Sequence, residues 1–163
     1  MNDDFVHMIE LLNKHEVEYC LIGGFAYSYY VESRATKDID ILIKPELKNM
    51  KKAYRAIKEF GFTLEHPTPE ELLKSKEIIY LGHVPERIDL LQDITNVPDK
   101  EIWPQVEKGS FKNVETNYIG LKQLIKNKIS AGRPQDKSDV VKLKEYHPKE
   151  YKEVIEEIKR NPI

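Results

Sequence analysis

The residues that most restrict this chain lie between positions 21 and 43, LIGGFAYSYYVESRATKDIDILI. A short apolar run, Tyr19–Ile22, closes on a glycine pair, Gly23 and Gly24. Fourteen residues after Gly24 comes Asp38, and Asp38 and Asp40 alternate with Ile39 and Ile41. Glycines at a strand end let the backbone turn tightly and let a ligand approach it closely. Two acids at positions i and i+2 of a strand share one face. Two carboxylates beside a glycine turn with free N–H groups suit a metal-bound phosphate.

The rest of the chain reads as a frame for that stretch. Phe5, Met8, Ile9 and Leu12 recur at helical spacing, with Asn2 or Asp3 as the cap and an end near His15. A buried strand is predicted over 19–22, a short aromatic-rich helix over 25–31, a second strand over 39–43 and a helix over 46–60 stopped by Gly61. Tyr27, Tyr29 and Tyr30 read as packing groups. Thr68-Pro69-Glu70-Glu71 is a helix-start signature. Strands at 77–81 and 87–91, joined by a turn at 82–85, form a predicted hairpin, with weaker strand candidates at 111–114 and 118–119. The chain then turns helical: 121–131 stopped by Gly132, a second helix from Pro134 to about Tyr146, and a third from Pro148. This order predicts an α/β (α+β) fold, with a core over 1–120 and a C-terminal helical segment over 121–163 packed on it.

Composition narrows the setting. A chain of 163 residues with 40% hydrophobic content can bury a real core. Its net charge of −2 gives no overall pull toward nucleic acid or membrane. The local balance is less even, with four Lys/Arg against eight Asp/Glu over residues 1–44 and nine against four over 105–144. That fits a metal on one wall of a cleft and phosphate on the other, and equally fits solvated helix faces. The single cysteine, Cys20, lies in the apolar run and reads as a core residue, so a reducing compartment is expected. The sequence offers no signal peptide and no apolar run long enough to span a bilayer, so a cytoplasmic location and no membrane partner are expected.

The predicted hairpin brings a third acid, Asp89, between Ile88 and Leu90. An acid flanked by apolar strand residues needs a partner. If its strand pairs with that of Asp40, three carboxylates meet on one surface, enough for two Mg²⁺ ions completed by phosphate and water. Alone, Asp89 could be an N-cap or a turn acid at a strand end, and the Asp38–Asp40 pair alone fits structure and function evenly. Arg34, in the loop before Asp38, could reach a triphosphate or pair with Glu32 or Asp38, and Thr36 reads as a loop-shaping hydroxyl. Lys128 shares its helix face with Leu121, Leu124 and Ile125 and therefore points inward. Its partner is either Asp136 or Asp139, or a phosphate in the cleft, with phosphate slightly favoured. Lys122 and Lys126 are expected in solvent. Arg133, Asp136 and Asp139 read as a salt-bridged clasp holding the helical tail. No HxH, HExxH, GxxxxGK[ST] or GxGxxG pattern occurs, which argues against zinc hydrolases and Walker ATPases.

GG, then R-x-T-x-D-I-D-I, then I-D-L-L resembles the nucleotidyltransferase superfamily with the polymerase-beta-like fold. The later K-I-S-A-G-R-P-Q-D-K-S-D-V looks like the end of its small stand-alone members, the minimal nucleotidyltransferases and abortive-infection type toxins. The resemblance covers residues 19–143. It implies a mixed β-sheet with the cleft at its edge. Gly23 and Gly24 would grip the triphosphate. Asp38, Asp40 and Asp89 would be the catalytic acids and the ligands of two Mg²⁺ ions, with Mn²⁺ as a substitute. Lys128 and Arg34 would bind the nucleotide. Two departures stand out: a glycine replaces the serine common after the first glycine, and the tail is shorter than in larger toxins. The function implied is transfer of a nucleotide from an NTP such as ATP to a hydroxyl of RNA, protein or a small molecule. For a toxin, an antitoxin protein would be the partner. Two other classes fit the sequence: a binding module that kept the fold and lost turnover, and a nucleic-acid adaptor using the basic tail.

Overall fold

The apolar run Tyr19–Ile22 lies inside the chain's β-sheet, and the most polar strand lies at an edge. In the computed structural model, which describes residues 3–162, six strands lie in the order β3-β4-β2-β1-β6-β5. They are β1 (Tyr19–Ile22), β2 (Ile39–Ile43), β3 (Ile79–Leu81), β4 (Ile88–Leu91), β5 (Glu107–Phe111) and β6 (Val114–Tyr118). All four residues of β1 are buried, as an interior strand with both faces covered requires. The edge strand β5, EKGSF, buries none of its residues fully. The sheet is mixed: β1 runs antiparallel to β2 and parallel to β6, while β2 runs parallel to β4.

Helix α1 (Asp3–Lys14) buries Phe5, Met8, Ile9, Leu11 and Leu12. It packs on α3 (Leu47–Phe60), which Gly61 ends with φ of +118°. Between them in sequence, α2 (Gly23–Tyr30) lies against β1 and β2, and the edge-on contact of Phe25 with Phe5 ties it to α1. A capping box on Thr68 and Glu71 starts α4 (Pro69–Ser75). A short helix, α5 (Asp99–Ile102), continues into a 3₁₀ turn and buries Ile102 completely. The tail forms α6 (Leu121–Ala131), α7 (Pro134–Tyr146) and α8 (Pro148–Arg160), mutually packed, with α6 also touching α2.

Three expectations need correction, and one lies out of reach. Residues 111–114, expected as one strand, span a hairpin: Phe111 ends β5, Val114 begins β6, and Lys112 and Asn113, with φ of +45° and +68°, form the turn between them. The glycine pair does not precede α2 but forms its first turn. Lys126 is not in solvent; it is buried and bonded to Glu101 at 2.8 Å and Glu157 at 3.4 Å, pinning α6 to α5 and α8. Asn2, named as a cap, lies outside the described residues. Tyr29 does pack, stacked on Tyr118 with ring centres 4.0 Å apart, and Tyr30 donates to the carbonyl of Ile119 at 2.7 Å. Burial pushes the Cys20 thiol far up, as befits a core residue and not a nucleophile. Among the described residues no helix is long and apolar enough to cross a membrane.

Candidate active site

The strand registers bring the acids together. β2 and β4 pair in parallel with Asp40 directly opposite Asp89, so both project from the same face. Asp38 stands two residues before Asp40, at the mouth of β2, and its Oδ1 accepts from the backbone N–H of Arg87 at 3.3 Å. On the other side of β2, Ile22 is the register partner of Asp40. The chain therefore turns at Gly23 right beside that carboxylate. Gly23 has φ of +62°, and a Cβ there would stand 2.4 Å from Asp40 Oδ2. A Cβ on Gly24 would stand 2.9 Å from Thr36 Oγ1. A side chain at either glycine would therefore displace a neighbour, Asp40 at the first and Thr36 of the loop over 33–36 at the second. Thr36 shapes that loop by donating to the carbonyl of Asp38 at 3.3 Å.

No side chain caps α2; its N-cap residue is Ile22. The first-turn N–H groups therefore face the cleft without a side-chain acceptor, and a helix start of that kind favours an anion. The cleft beside them has a volume of about 560 Å³ and is bordered by Gly23, Gly24, Asp38, Asp40 and Asp89. A second lobe of about 560 Å³ runs along Leu91, Ile94, Asn127 and Ser130. The two lobes share Gly23, Asp40, Lys128 and Arg133.

The electrostatics of the three acids are unbalanced. Burial, then the neighbouring charges of Asp89 and Asp38, push the Asp40 carboxyl up to about 6, against weaker opposing pulls from Arg133 and Lys128. Asp89 is buried and held by Arg87 through both oxygens, Nε to Oδ1 at 2.6 Å and Nη2 to Oδ2 at 2.9 Å. Among the described residues no three His, Cys, Asp or Glu side chains stand ready as a metal-ligating group. The donor chemistry nonetheless fits Mg²⁺: hard carboxylate oxygens on one face, with a surplus of negative charge that a cation relieves. Asp89 could join such a set only when Arg87 lets go of it.

The basic residues predicted from sequence, Lys128 and Arg34, border the cleft but are paired with other acids. Lys128 is buried and pairs with Asp139 at 2.7 Å and Asp136 at 3.3 Å, while still bordering both lobes. Arg34 pairs with neither Glu32 nor Asp38. Its Nη2 reaches Asp139 at 2.9 Å, its guanidinium lies 5.0 Å from the centre of the Tyr27 ring, and its buried Nε has no partner. Arg133 Nε bonds Asp136 at 2.7 Å. Burial alone would raise the Asp136 carboxyl; the hydrogen bond from Arg133 and the charge of Lys128 outweigh it and hold it below the usual range. Lys128, Arg34, Arg133 and the two acids thus form the clasp expected of this stretch, with Arg34 as its anchor in the core. Arg87 was not singled out from the sequence. The available signal was its position two residues before Asp89, on the same strand face.

No family model matches the sequence, and no curated protein is detectably similar to it. Solved structures are similar. The antibiotic-resistance factor ANT(2'')-Ia superposes in its solution structure with a TM-score of 0.68, over 97% of this chain and 90% of that one, at 8% identity. Its crystal structure with adenylyl-2''-tobramycin gives 0.67 over 98% and 97% at 9% identity. The lincosamide antibiotic adenylyltransferase LnuA, bound to lincomycin, gives 0.56 over 88% and 96% at 16% identity. The described residues form eight α-helices and a six-stranded mixed sheet, and in the likeness to these structures the chain has the nucleotidyltransferase fold.

Proposed function

We propose that the protein is a Mg²⁺-dependent nucleotidyltransferase that moves a nucleoside monophosphate from an NTP to an acceptor hydroxyl. One observation carries the reading: Asp40 stands opposite Asp89 on one side and against Gly23 on the other. That places an acid cluster and an uncapped helix start on a single cleft. The N–H groups of Gly23 and Gly24 would hold the triphosphate, without the help of a serine hydroxyl. Mg²⁺ held by Asp38, Asp40 and Asp89 would supply charge neutralisation and in-line alignment. The acceptor oxygen attacks the α-phosphorus, the bond from that phosphorus to the β-phosphate oxygen breaks, and pyrophosphate leaves. Asp89, once released by Arg87, would orient the acceptor hydroxyl and help take its proton. Lys128 and Arg133, bordering both lobes, add positive potential where negative charge builds.

Two lobes meeting at Asp40 give room for two reactants, one for the NTP and one for the acceptor. The similar enzymes are named for small antibiotic molecules, which favours a small hydroxylated acceptor here. An RNA end or a protein hydroxyl, the acceptors of a toxin with its antitoxin, is the alternative that labelling would reveal. The test is Mg²⁺-dependent pyrophosphate release from labelled NTPs in cell extract, followed by identification of what acquires label. Asp40→Asn is expected to lower transfer by on the order of 10²–10³-fold. If wild type and variant are equally inert and both bind nucleotide, the protein is a binding module that lost turnover.

A further inference from the structure

Arg87 occupies the acid cluster in a way that a passive surface ion pair does not require. Among the described residues it is the only cationic side chain in ion-pair contact with Asp38 or Asp89. Its fork spends two N–H groups on both oxygens of Asp89, and Nη2 lies 4.0 Å from Asp38 Oδ2. The guanidinium is backed by the ring of Tyr80, 4.3 Å from the ring centre. Tyr80 is the register partner of Asp89 across β3 and β4, so ring, guanidinium and carboxylate are stacked on one sheet face. The arginine thus occupies both of the Asp89 oxygens that a divalent ion would use. It is also the movable member of the set: Asp89 is nearly buried, whereas the Arg87 side chain is 29% exposed and lies at the mouth of the strand, on the same cleft as Gly23 and Gly24.

We propose that Arg87 is a resident counter-ion that yields Asp89 to the metal only when a triphosphate is present to receive it. The inference rests on the nucleotidyl-transfer reading of the site. A bare divalent ion must displace a bidentate guanidinium from Asp89 and leave that guanidinium without an anion. A nucleotide supplies the replacement, because its phosphates are acceptors for the same fork. Tyr80 gives the guanidinium a surface to slide on during the exchange. Metal and nucleotide are then thermodynamically coupled, each strengthening the other by the same factor. Arg87 is a positioning residue for metal binding and, once released, a phosphate ligand. The arrangement keeps Asp89 paired between turnovers and makes cation binding report the presence of NTP.

The test is titration of Mn²⁺, followed by the electron paramagnetic resonance of the free ion, with and without α,β-methylene-ATP. Wild type is expected to bind Mn²⁺ alone at least about tenfold more weakly than Arg87→Met, and to gain at least about tenfold when the analogue is added. Arg87→Met is expected to gain less from the analogue and to bind the analogue itself more weakly. Arg87→Lys, which keeps the charge and loses the fork, falls between them. It carries the test should the methionine variant fail to give a native circular dichroism spectrum. Equal Mn²⁺ affinity in wild type and the folded variants, with no gain from the analogue, overturns the role of Arg87 and leaves the transfer reading standing. Absence of Mn²⁺ binding in every variant, with or without analogue, overturns the transfer reading and the role of Arg87 with it.

Discussion

Two groups of aspartates lie side by side in this protein, and they are solved in opposite ways. Asp136 and Asp139, both 2% exposed, are met by three cations: Lys128, Arg34 and Arg133. Among the described residues Asp38 and Asp89 are met by one, Arg87, and Asp40 is in ion-pair contact with none. The consequence shows in the carboxyls themselves. Asp136 is held below its ordinary range in spite of burial, whereas Asp40 is pushed up to about 6 by burial and by its own neighbours. A buried cluster with cations to spare is a fastener, because each carboxylate is neutralised where it stands. A cluster short of cations on an open cleft is poised for a ligand that brings positive charge. The comparison separates structure from function among residues that look alike in the sequence.

The largest effect that could break this contrast is at Lys128. Its side chain is 4% exposed, and its removal strands two buried acids. Lys128→Met is expected to destabilise the fold by about 3–5 kcal/mol, the usual consequence of removing one partner from a buried ion cluster. Urea unfolding of the variant against wild type measures it. A loss below about 1 kcal/mol would mean that the clasp does not depend on Lys128, since an exposed ion pair is worth no more than that.

The second contrast is in pH dependence. Asp40 titrates near 3.8 when unperturbed and near 6 in the fold. Between those values the folded state binds more protons than the unfolded one, so this group's contribution to stability is fully present below about 4 and is lost as pH rises through 6. Asp136 has the opposite sign: its folded carboxyl is lowered, so its contribution is present above the unfolded value and is lost on acidification. Asp40→Asn is expected to be more stable than wild type at pH 7, by on the order of 1–3 kcal/mol, and to lose that advantage by pH 4. Unfolding curves of both proteins at pH 4, 5.5 and 7 decide it. Parallel pH profiles would show that the acid cluster is better neutralised than its geometry indicates.

Much of this was legible in the sequence because period-2 and period-3.6 patterns are strong here. Tyr19–Ile22 is a strand as an unbroken apolar run in the sheet interior, Ile39–Ile43 is one as an apolar run broken only by Asp40, and Pro134 and Pro148 do start helices. The pairing of Asp40 with Asp89 followed from placing both acids on strands of one sheet. What the pattern could not show is which cation meets which acid. Arg34 and Asp139 are 105 residues apart in sequence, and Lys126 is drawn inward by Glu101 and Glu157 on other elements. Those pairings depend on tertiary packing, which leaves no local period. The β5–β6 hairpin was misplaced for a different reason: its turn uses Lys112 and Asn113 at positive φ, with no glycine to mark it, and β5 is too polar to announce itself.

The smallest expected effect uses two glycines, one in each region. Gly23 at the acid cluster and Gly132 at the start of the clasp have nearly the same backbone, φ of +62° and +63°. Alanine at either should therefore lose a similar amount to left-handed strain, about 1–2 kcal/mol. Their surroundings differ. At Gly132 the nearest atom to an added Cβ is the Ile129 carbonyl oxygen at 3.8 Å, which is ordinary contact, whereas at Gly23 it is Asp40 Oδ2 at 2.4 Å. That oxygen is the free end of a side chain, so Asp40 can rotate away without much further loss of stability, but the carboxylate then leaves its place opposite Asp89. Gly23→Ala and Gly132→Ala are accordingly expected to unfold at similar urea concentrations, while only Gly23→Ala loses nucleotide transfer and analogue-dependent Mn²⁺ binding. If both variants keep them, the position of Asp40 against the glycine turn has no part in the chemistry; if both lose them, the clasp and the acid cluster are one functional unit and the division drawn between them fails.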